Sequence, residues 1–500
     1  MSAPFKTDDR YSIELNALIR DTKHLPEIFQ RGYFGDQSYY RPFVYVSYMA
    51  EHALFGDNPF FYYLDNVLLH LLCAFLAWKI ADKLFGNHRF GFWVGFLFAI
   101  HPIHWEAVAN IPGRAVILST LFSLFAFYAW IMTLQKRSMI WLGVATLSFI
   151  FALLSKESAG VLPGIFCMYW LCFQRAQISL RKTVFYLLPF VTVIIFYIVL
   201  RHTLHIDVIA GWPTLSQRIL GFISFLRSAI THLRLMIVPV GLYFDRSQAL
   251  YVSFHNLEVW CVVGFWMFVS TGIWVRRRYL TPVDMFCLAW LMMDVFPVSQ
   301  IVSSIGVSPG YISAADHFLY MLSIPFLILL VRLMGVLRST QFFHQLIGHL
   351  SSRIIVFGCV AFLMILNVQQ NIYAHDEMTM LERSFEYQPY NSRLQNLAGY
   401  LSAMDHDYKN AQKHFEWAVK ADPFNPSSRI SLGKTYCDLG FLGECLMQYL
   451  SVLDPESFAE LLRQNIQYPV GKIAEKIQKK QKLSQAESMS WEIYQSRIQK

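Results

Sequence analysis

Ten apolar runs follow one another between residues 62 and 369, near 62–84, 91–104, 115–133, 139–154, 157–172, 183–201, 257–275, 282–299, 318–336 and 352–369. A helix needs about 20 such residues to cross a bilayer. In hydrocarbon every backbone N–H and C=O must be bonded within the chain, so runs of this kind fold as helices. Several are short, and 139–154 is parted from 157–172 only around Ser155-Lys156-Glu157. Interrupted spans line cavities, because unpaired backbone cannot face lipid. Only 15% of the residues are charged, against roughly 25% in soluble domains. A polytopic membrane protein is the expected class.

The basic loops set the expected orientation. LFGNHRF (84–90), LQKRSM (134–139), FQRAQISLRK (173–182), RRRY (276–279) and the stretch around Arg332–Arg353 fall on one side when ten crossings are counted. The positive-inside rule makes that side cytoplasmic. The opposite side then receives residues 1–61, HPIHWEAVANIPGR (101–114), Ser155–Glu157, 202–256, 300–317 and everything after the last run. The segment 215–244 is apolar yet carries Arg218, Arg227 and Arg234. It is expected as an interfacial or re-entrant helix, its arginines towards lipid headgroups or a phosphate, or simply snorkelling. The net charge of +8 reflects cytoplasmic Lys and Arg, not nucleic-acid binding. The first 40 residues lack the apolar centre of a signal peptide.

After residue 380 the texture changes. Gly399 and Gly433, Ala411 and Cys445, Phe415 and Tyr449, and Ala418 and Val452 each stand 34 residues apart. Small residues at a helix crossing and a bulky one in the groove fit the tetratricopeptide pattern. The chain is therefore expected to be all-α: an extracytoplasmic N-terminal loop 1–61 with the acidic pair, a membrane bundle 62–370, an α-solenoid of repeats 380–470, and a basic, solvated C-terminal helix 471–500. The eight cysteines form no CxxC, so structural zinc is not expected. Cys73, Cys167, Cys172, Cys261, Cys287 and Cys359 lie in apolar segments, where Cys behaves as a small hydrophobe. The one Asn-x-Ser sequence, Asn425-Pro426-Ser427, is disqualified by its proline. This favours a bacterial or archaeal inner membrane, with the endoplasmic reticulum as the eukaryotic equivalent.

Ionisable residues collect near span ends on the outer side: Asp8, Asp9, Arg41, His101, His104, Glu106, Arg114, Lys156, Glu157, Asp316 and His317. At membrane depth such groups are expensive and point to function. Each has a plainer role open to it. Asp8 and Asp9 could cap a helix, and Arg114 could anchor a span at the interface. His70 and Asp294, inside apolar runs, are expected as interhelical hydrogen bonders. His101, His104 and Glu106 look like a metal cluster, but Pro102 breaks the HExxH helix geometry. Hydrogen-bonding roles are preferred for them, and the need for a divalent metal stays open.

NPFFYYLDNVLLH (58–70), FAIHPIHWEAVANIPGRA (98–115), LLSKESAGVLP (153–163), AADHFLYMLSIPF (314–326), YYRPF (39–43) and the opening FxxDD resemble the TMTC-type proteins, transmembrane and tetratricopeptide repeat containing, and their bacterial relatives. The resemblance runs over about residues 1–460. It implies a GT-C-like bundle and a glycosyltransferase that moves a sugar from a polyprenyl-phosphate donor to a protein or other hydroxyl acceptor on the extracytoplasmic face. In that family FxxDD follows a first spanning helix. Here Met1 lies four residues before Phe5, so that helix is expected to be missing.

Such a transfer needs a base for the acceptor hydroxyl and cations for the departing phosphate. The resemblance implies Asp9 or Asp8 as the base. Arg41, Arg114 and Lys156 are the candidates for the phosphate, with His101, His104, Glu106, Asp316 and His317 around the donor. The family position of Asp316-His317 usually holds an acidic residue followed by Arg. The implied partners are membrane lipid, the polyprenyl-phosphate sugar, and a protein or peptide held by the repeats. A non-catalytic, membrane-anchored repeat scaffold is the alternative. A transporter ranks third, since no inverted repeat of spans is apparent.

Overall fold

Side chains that satisfy free N–H groups start several of the apolar helices. Asn58, Asn87 and Asn256 each accept from the N–H two residues on, and Thr281 forms a capping box with Asp284. Such caps contribute about 1 kcal/mol each. Gly86, at a φ of 62°, ends Pro59–Phe85 in the left-handed conformation glycine adopts at least cost.

The computed structural model describes residues 4–33, 39–206, 214–301, 310–338, 349–452 and 455–498. Among them the only strands are Ser247–Ala249 and Tyr311–Ser313. The rest of the regular structure is helical. Two compact units are present, one built mainly from residues 1–377 and one mainly from 378–500.

Among the described residues of the first unit seven helices are long and apolar enough to cross a membrane: Pro59–Phe85, Ile111–Lys136, Leu180–Thr203, Leu215–Ile237, Leu257–Tyr279, Asp316–Leu337 and Ile354–His375. His88–Ile100 and Met139–Ser155 are shorter apolar helices. The expected run 157–172 is not one helix. It begins as a 3-10 turn, Glu157–Val161, continues as Leu162–Tyr169 and ends in a π-turn at Trp170–Gln174. Run 91–104 stops at Ile100 because Pro102 cannot continue it. Run 282–299 stops as an α-helix at Val295, two residues before Pro297. Leu215–Ile237 is one continuous helix of 23 residues. Its Arg227 bonds protein groups: Nε donates to Gln248 Oε1 at 3.1 Å, Nη2 donates to the Ala249 carbonyl, and Glu258 lies 3.6 Å away.

The core of this unit is aromatic. Phe127, Trp130, Phe166, Phe190, Phe286 and Trp290 are buried together, with edge-to-face and stacked rings 5.0–5.9 Å apart. His70 bridges helices as expected, Nδ1 to Tyr320 Oη at 2.7 Å and Nε2 to the Ala99 carbonyl at 3.2 Å. The described residues of 1–61 contain the helix Pro42–Phe55 and a core of their own around Ile13, Tyr33, Val44 and Tyr48.

In the second unit Ser392–Met404 pairs with Tyr408–Ala421, and Pro426–Asp438 with Leu442–Leu450. The 34-residue period returns as repeated geometry, Gly399 lying against the ring of Phe415 and Gly433 against that of Tyr449. A Cβ at Gly399 would fall 2.7 Å from the Phe415 ring. Gly399→Ala is expected to destabilise this unit by about 1–3 kcal/mol, seen as a lower Tm of the full chain. A disulfide, Cys437–Cys445, joins the two helices of the later pair. The C-terminal boundary differs from expectation. Pro455–Gln478 runs through residue 471, and a separate helix, Gln485–Ile498, packs Trp491 and Ile493 against the cluster of Leu446 and Leu450. It is a packed cap, because its apolar residues lie on the face that meets Leu442–Leu450.

Candidate active site

The acidic pair sits in a helical turn, Thr7–Asp9, that runs into a π-turn at Arg10–Glu14. Asp9 is fully buried. Its Oδ2 accepts from the Lys6 backbone N–H at 2.9 Å and from the Tyr63 hydroxyl at 3.1 Å. Its Oδ1 is buried with no hydrogen-bond partner among the described residues. Burial pushes the Asp9 carboxyl up to about 6, against the opposing pull of the Lys6 charge and of the two hydrogen bonds. Lys6 is itself buried, and its Nζ donates to the Ala109 carbonyl at 2.8 Å. The pair is thereby docked on the 105–113 turn. Asp8 is partly exposed and lines a cavity of about 440 Å³ with Tyr11, Asn16, Arg31 and Tyr45.

The HPIHWE block builds that turn. His101 Nδ1 accepts from the Ile103 N–H at 3.2 Å, which leaves Nε2–H to donate to the Met236 carbonyl at 3.1 Å. His104 Nδ1 bonds the Phe98 carbonyl at 2.9 Å and Nε2 meets Ser323 Oγ at 2.9 Å. Gly113 closes the turn so tightly that a Cβ there would collide with the Ala107 carbonyl. Glu106 and Trp105 reach the opposite motif. Glu106 Oε2 accepts from the His317 backbone N–H at 2.9 Å, and Oε1 pairs with His317 Nδ1 at 2.8 Å. Trp105 Nε1 donates to Asp316 Oδ2 at 3.4 Å.

The cations are used unequally. Arg41 makes a bidentate pair with Glu157, Nε to Oε2 at 3.1 Å and Nη2 to Oε1 at 2.7 Å, and lies 4.6 Å from the Tyr39 ring. Burial alone would raise the Glu157 carboxyl, but the Arg41 guanidinium beside it holds it down at about 2. Arg114 is fully buried: Nε donates to Asn66 Oδ1 at 2.9 Å, Nη2 to the Tyr62 carbonyl at 2.8 Å, and Nη1 to Glu51. Asn66 in turn donates to the Asn110 carbonyl at 3.1 Å. Lys156 differs from both. Its Nζ sits 5.7 Å over the Phe318 ring, and burial pulls its ammonium down to about 8. Lys156, Ser119, Thr120, Ser158, Asp294 and His317 border one cavity of about 60 Å³.

The structure thus gathers Glu106, Lys156, Glu157, Asp316 and His317 around one turn, and Asp8 and Asp9 around its other end. His101 and His104 spend their rings on protein partners, Met236 for the first and Phe98 and Ser323 for the second. Among the described residues no three His, Cys, Asp or Glu are placed to hold a metal ion. Asp294, expected as an interhelical bonder, borders the cavity, and its Oδ2 is buried with no hydrogen-bond partner among the described residues. Sequence reasoning missed Lys6, Tyr63, Glu51 and Asn66. All but Glu51 lie inside the FxxDD and NPFFYYLDN stretches already singled out, so the signal was present as motif and not as chemistry.

Residues 42–202 match the family of dolichyl-phosphate-mannose-protein mannosyltransferases. Over 494 residues the chain is 23% identical to the human protein O-mannosyl-transferase TMTC3, covering 89% of this chain and 52% of that protein. It is 24% identical over 442 residues to the Caenorhabditis elegans protein O-mannosyl-transferase F38B6.6, covering 85% and 60%. A shorter stretch of 144 residues is 36% identical to mouse protein O-mannosyl-transferase TMTC2, covering 27% and 17%. The chain therefore spans between half and two thirds of the two relatives it matches at length. No solved structure matches it. The chain is thus similar to the TMTC-type proteins over most of its length, at 23–24% identity, and more strongly over one stretch of 144 residues.

Proposed function

We propose that this chain is a membrane glycosyltransferase that moves a sugar, mannose by analogy with its relatives' names, from a polyprenyl-phosphate donor to a hydroxyl of a protein acceptor. The observation that carries the reading is Asp9: a fully buried carboxylate with one oxygen fixed by Tyr63 and Lys6 and the other without a partner among the described residues. A base with its carboxyl near 6 is ionised at neutral pH and still basic enough to take the acceptor's proton. Asp8, on the wall of the adjoining cavity, orients the acceptor. Lys156 is the donor-side cation, with Arg41 behind it through Glu157. Arg114 acts from beneath by fixing Asn66, and through it the turn at Asn110. His101 and His104 shape the donor wall.

The reaction is assigned to the extracytoplasmic face. Cys437–Cys445 supports that side, because disulfides persist in oxidising compartments. The repeat unit there binds the acceptor protein.

The test uses membranes holding the full chain, a mannosyl polyprenyl phosphate with labelled sugar, and a Ser/Thr-rich polypeptide. Label is expected in the polypeptide with the native chain and absent with Asp8→Asn plus Asp9→Asn at equal expression. Transfer by that double variant at the native rate sinks the assignment. In the same membranes Cys437 and Cys445 are expected to resist a thiol-reactive mass tag until a reductant is added. Tagging without reductant would remove the disulfide argument for sidedness.

A further inference from the structure

The proposed transfer leaves a phosphate that must depart with an extra negative charge. A lysine can only neutralise that charge, whereas an imidazole can also give up a proton. Beside Lys156 the structure holds an imidazole arranged for such a task. Glu106 fixes His317 twice, at the backbone N–H (2.9 Å) and at ring Nδ1 (2.8 Å). A carboxylate against Nδ1 makes that nitrogen the N–H, so the ring is oriented and Nε2 is the nitrogen left to react. The Phe318 ring packs edge-on 4.6 Å away. His317 Nε2 has no hydrogen-bond partner among the described residues, nor does Lys156 Nζ, and both residues line the same cavity with the hydroxyls of Ser119, Thr120 and Ser158. The charged groups around the ring are Glu106 from the 105–108 turn, Lys156 from the 155–157 connection, Asp294 from the end of Pro282–Val295, and its own neighbour Asp316, whose carboxylate accepts from Trp105.

We infer that His317 is a second catalytic residue, a proton donor to the departing phosphate, and that Glu106 is the residue that positions it. The inference rests on the transferase reading above. The bond between the sugar's anomeric carbon and the phosphate oxygen breaks, its electron pair going to that oxygen. The acceptor oxygen bonds to the same carbon and gives its proton to Asp9. The proton on His317 Nε2 passes to a phosphate oxygen, so the polyprenyl phosphate leaves as a monoanion. Water then takes the proton from Asp9 and returns one to His317. Lys156 supplies fixed charge throughout.

The experiment has two arms, both on the full chain in lipid nanodiscs. In the first, transfer from mannosyl polyprenyl phosphate is measured. His317→Gln is expected to lower kcat about 100-fold with KM within about threefold, and Glu106→Gln to lower it about 10-fold. His317→Arg keeps a cation but gives up no proton, and it is expected to stay as slow as His317→Gln. Native kcat in His317→Gln, or in His317→Arg, overturns the inference while leaving the transferase reading intact. In the second arm a short-chain polyprenyl phosphate is bound and its 31P shift recorded at about pH 8, where the free phosphomonoester is a dianion. The native chain is expected to hold it as the monoanion and His317→Gln as the dianion. A dianion in both overturns the proton-donor role alone, and failure of the native chain to bind the lipid phosphate overturns both readings. Inorganic phosphate is run in parallel. If it reproduces the shift, the site reads phosphate by itself. If only the lipid does, the prenyl chain is part of recognition. Either result supports the assignment.

Discussion

Asp9→Asn is expected to abolish transfer and at the same time to stabilise the folded chain at neutral pH. The carboxyl ionises at 3.8 in the unfolded chain and at about 6 in the fold, where burial raises it more than Lys6 and Tyr63 lower it. Below pH 3.8 both states are protonated and the residue carries no penalty. As pH rises towards 6 the unfolded chain releases its proton first, and stability falls. Above 6 the penalty is constant, at about 3 kcal/mol. Asparagine removes it and still accepts from the Tyr63 hydroxyl. A higher Tm for Asp9→Asn at pH 7.5, no gain at pH 3.5, and a loss of rate of about 100- to 10,000-fold would together mark a residue kept for chemistry at a cost in stability. The native rate should decline as pH drops through about 6, when Asp9 takes up its proton. A flat acid limb, or a lower Tm for Asp9→Asn at neutral pH, contradicts this account.

Arg114→Met is expected to be the most destabilising single change at the site, by about 3–5 kcal/mol. The fully buried guanidinium gives Nε to Asn66 Oδ1, Nη2 to the Tyr62 carbonyl and Nη1 to Glu51, and Asp65 lies 3.4 Å from it. Methionine fills much of the space and leaves the Glu51 carboxylate buried without its counter-ion. Adding Glu51→Leu should recover most of the loss, because replacing both members of a buried pair removes the uncompensated charge. The double-mutant cycle is read from Tm values of the solubilised full chain. If Arg114→Met alone melts within a degree or two of the native chain, the guanidinium is not the tie that fixes the turn.

How much of this was legible in the sequence varied by residue. Helices were legible where the run was long and uninterrupted, as within Arg114–Lys136 and Leu257–Arg276, because hydrocarbon permits little else. Where a proline or a charge interrupted the run, length misled: 157–172 broke into three pieces and 282–299 ended early. Repeat geometry was legible because glycine opposite an aromatic ring is needed at each helix crossing, as at Gly399 and Gly433. The Cys437–Cys445 bridge was not, since eight residues of spacing fit a helix hairpin only once its turn is known.

At the site the sequence by itself determined which residue types were present and that many would stand at the ends of apolar runs, because charged groups are costly inside them. It did not determine who meets whom. Glu106 and His317 are 211 residues apart in sequence and 2.8 Å apart in the fold. Arg41 and Glu157 form a bidentate pair across 116 residues. Only tertiary packing could decide that Arg114 spends its hydrogen bonds inside the protein while Lys156 keeps its ammonium uncommitted beside a cavity. The physical reason is that periodicity records the face on which a side chain lies, whereas partner, burial and protonation depend on distant segments brought within a few ångströms.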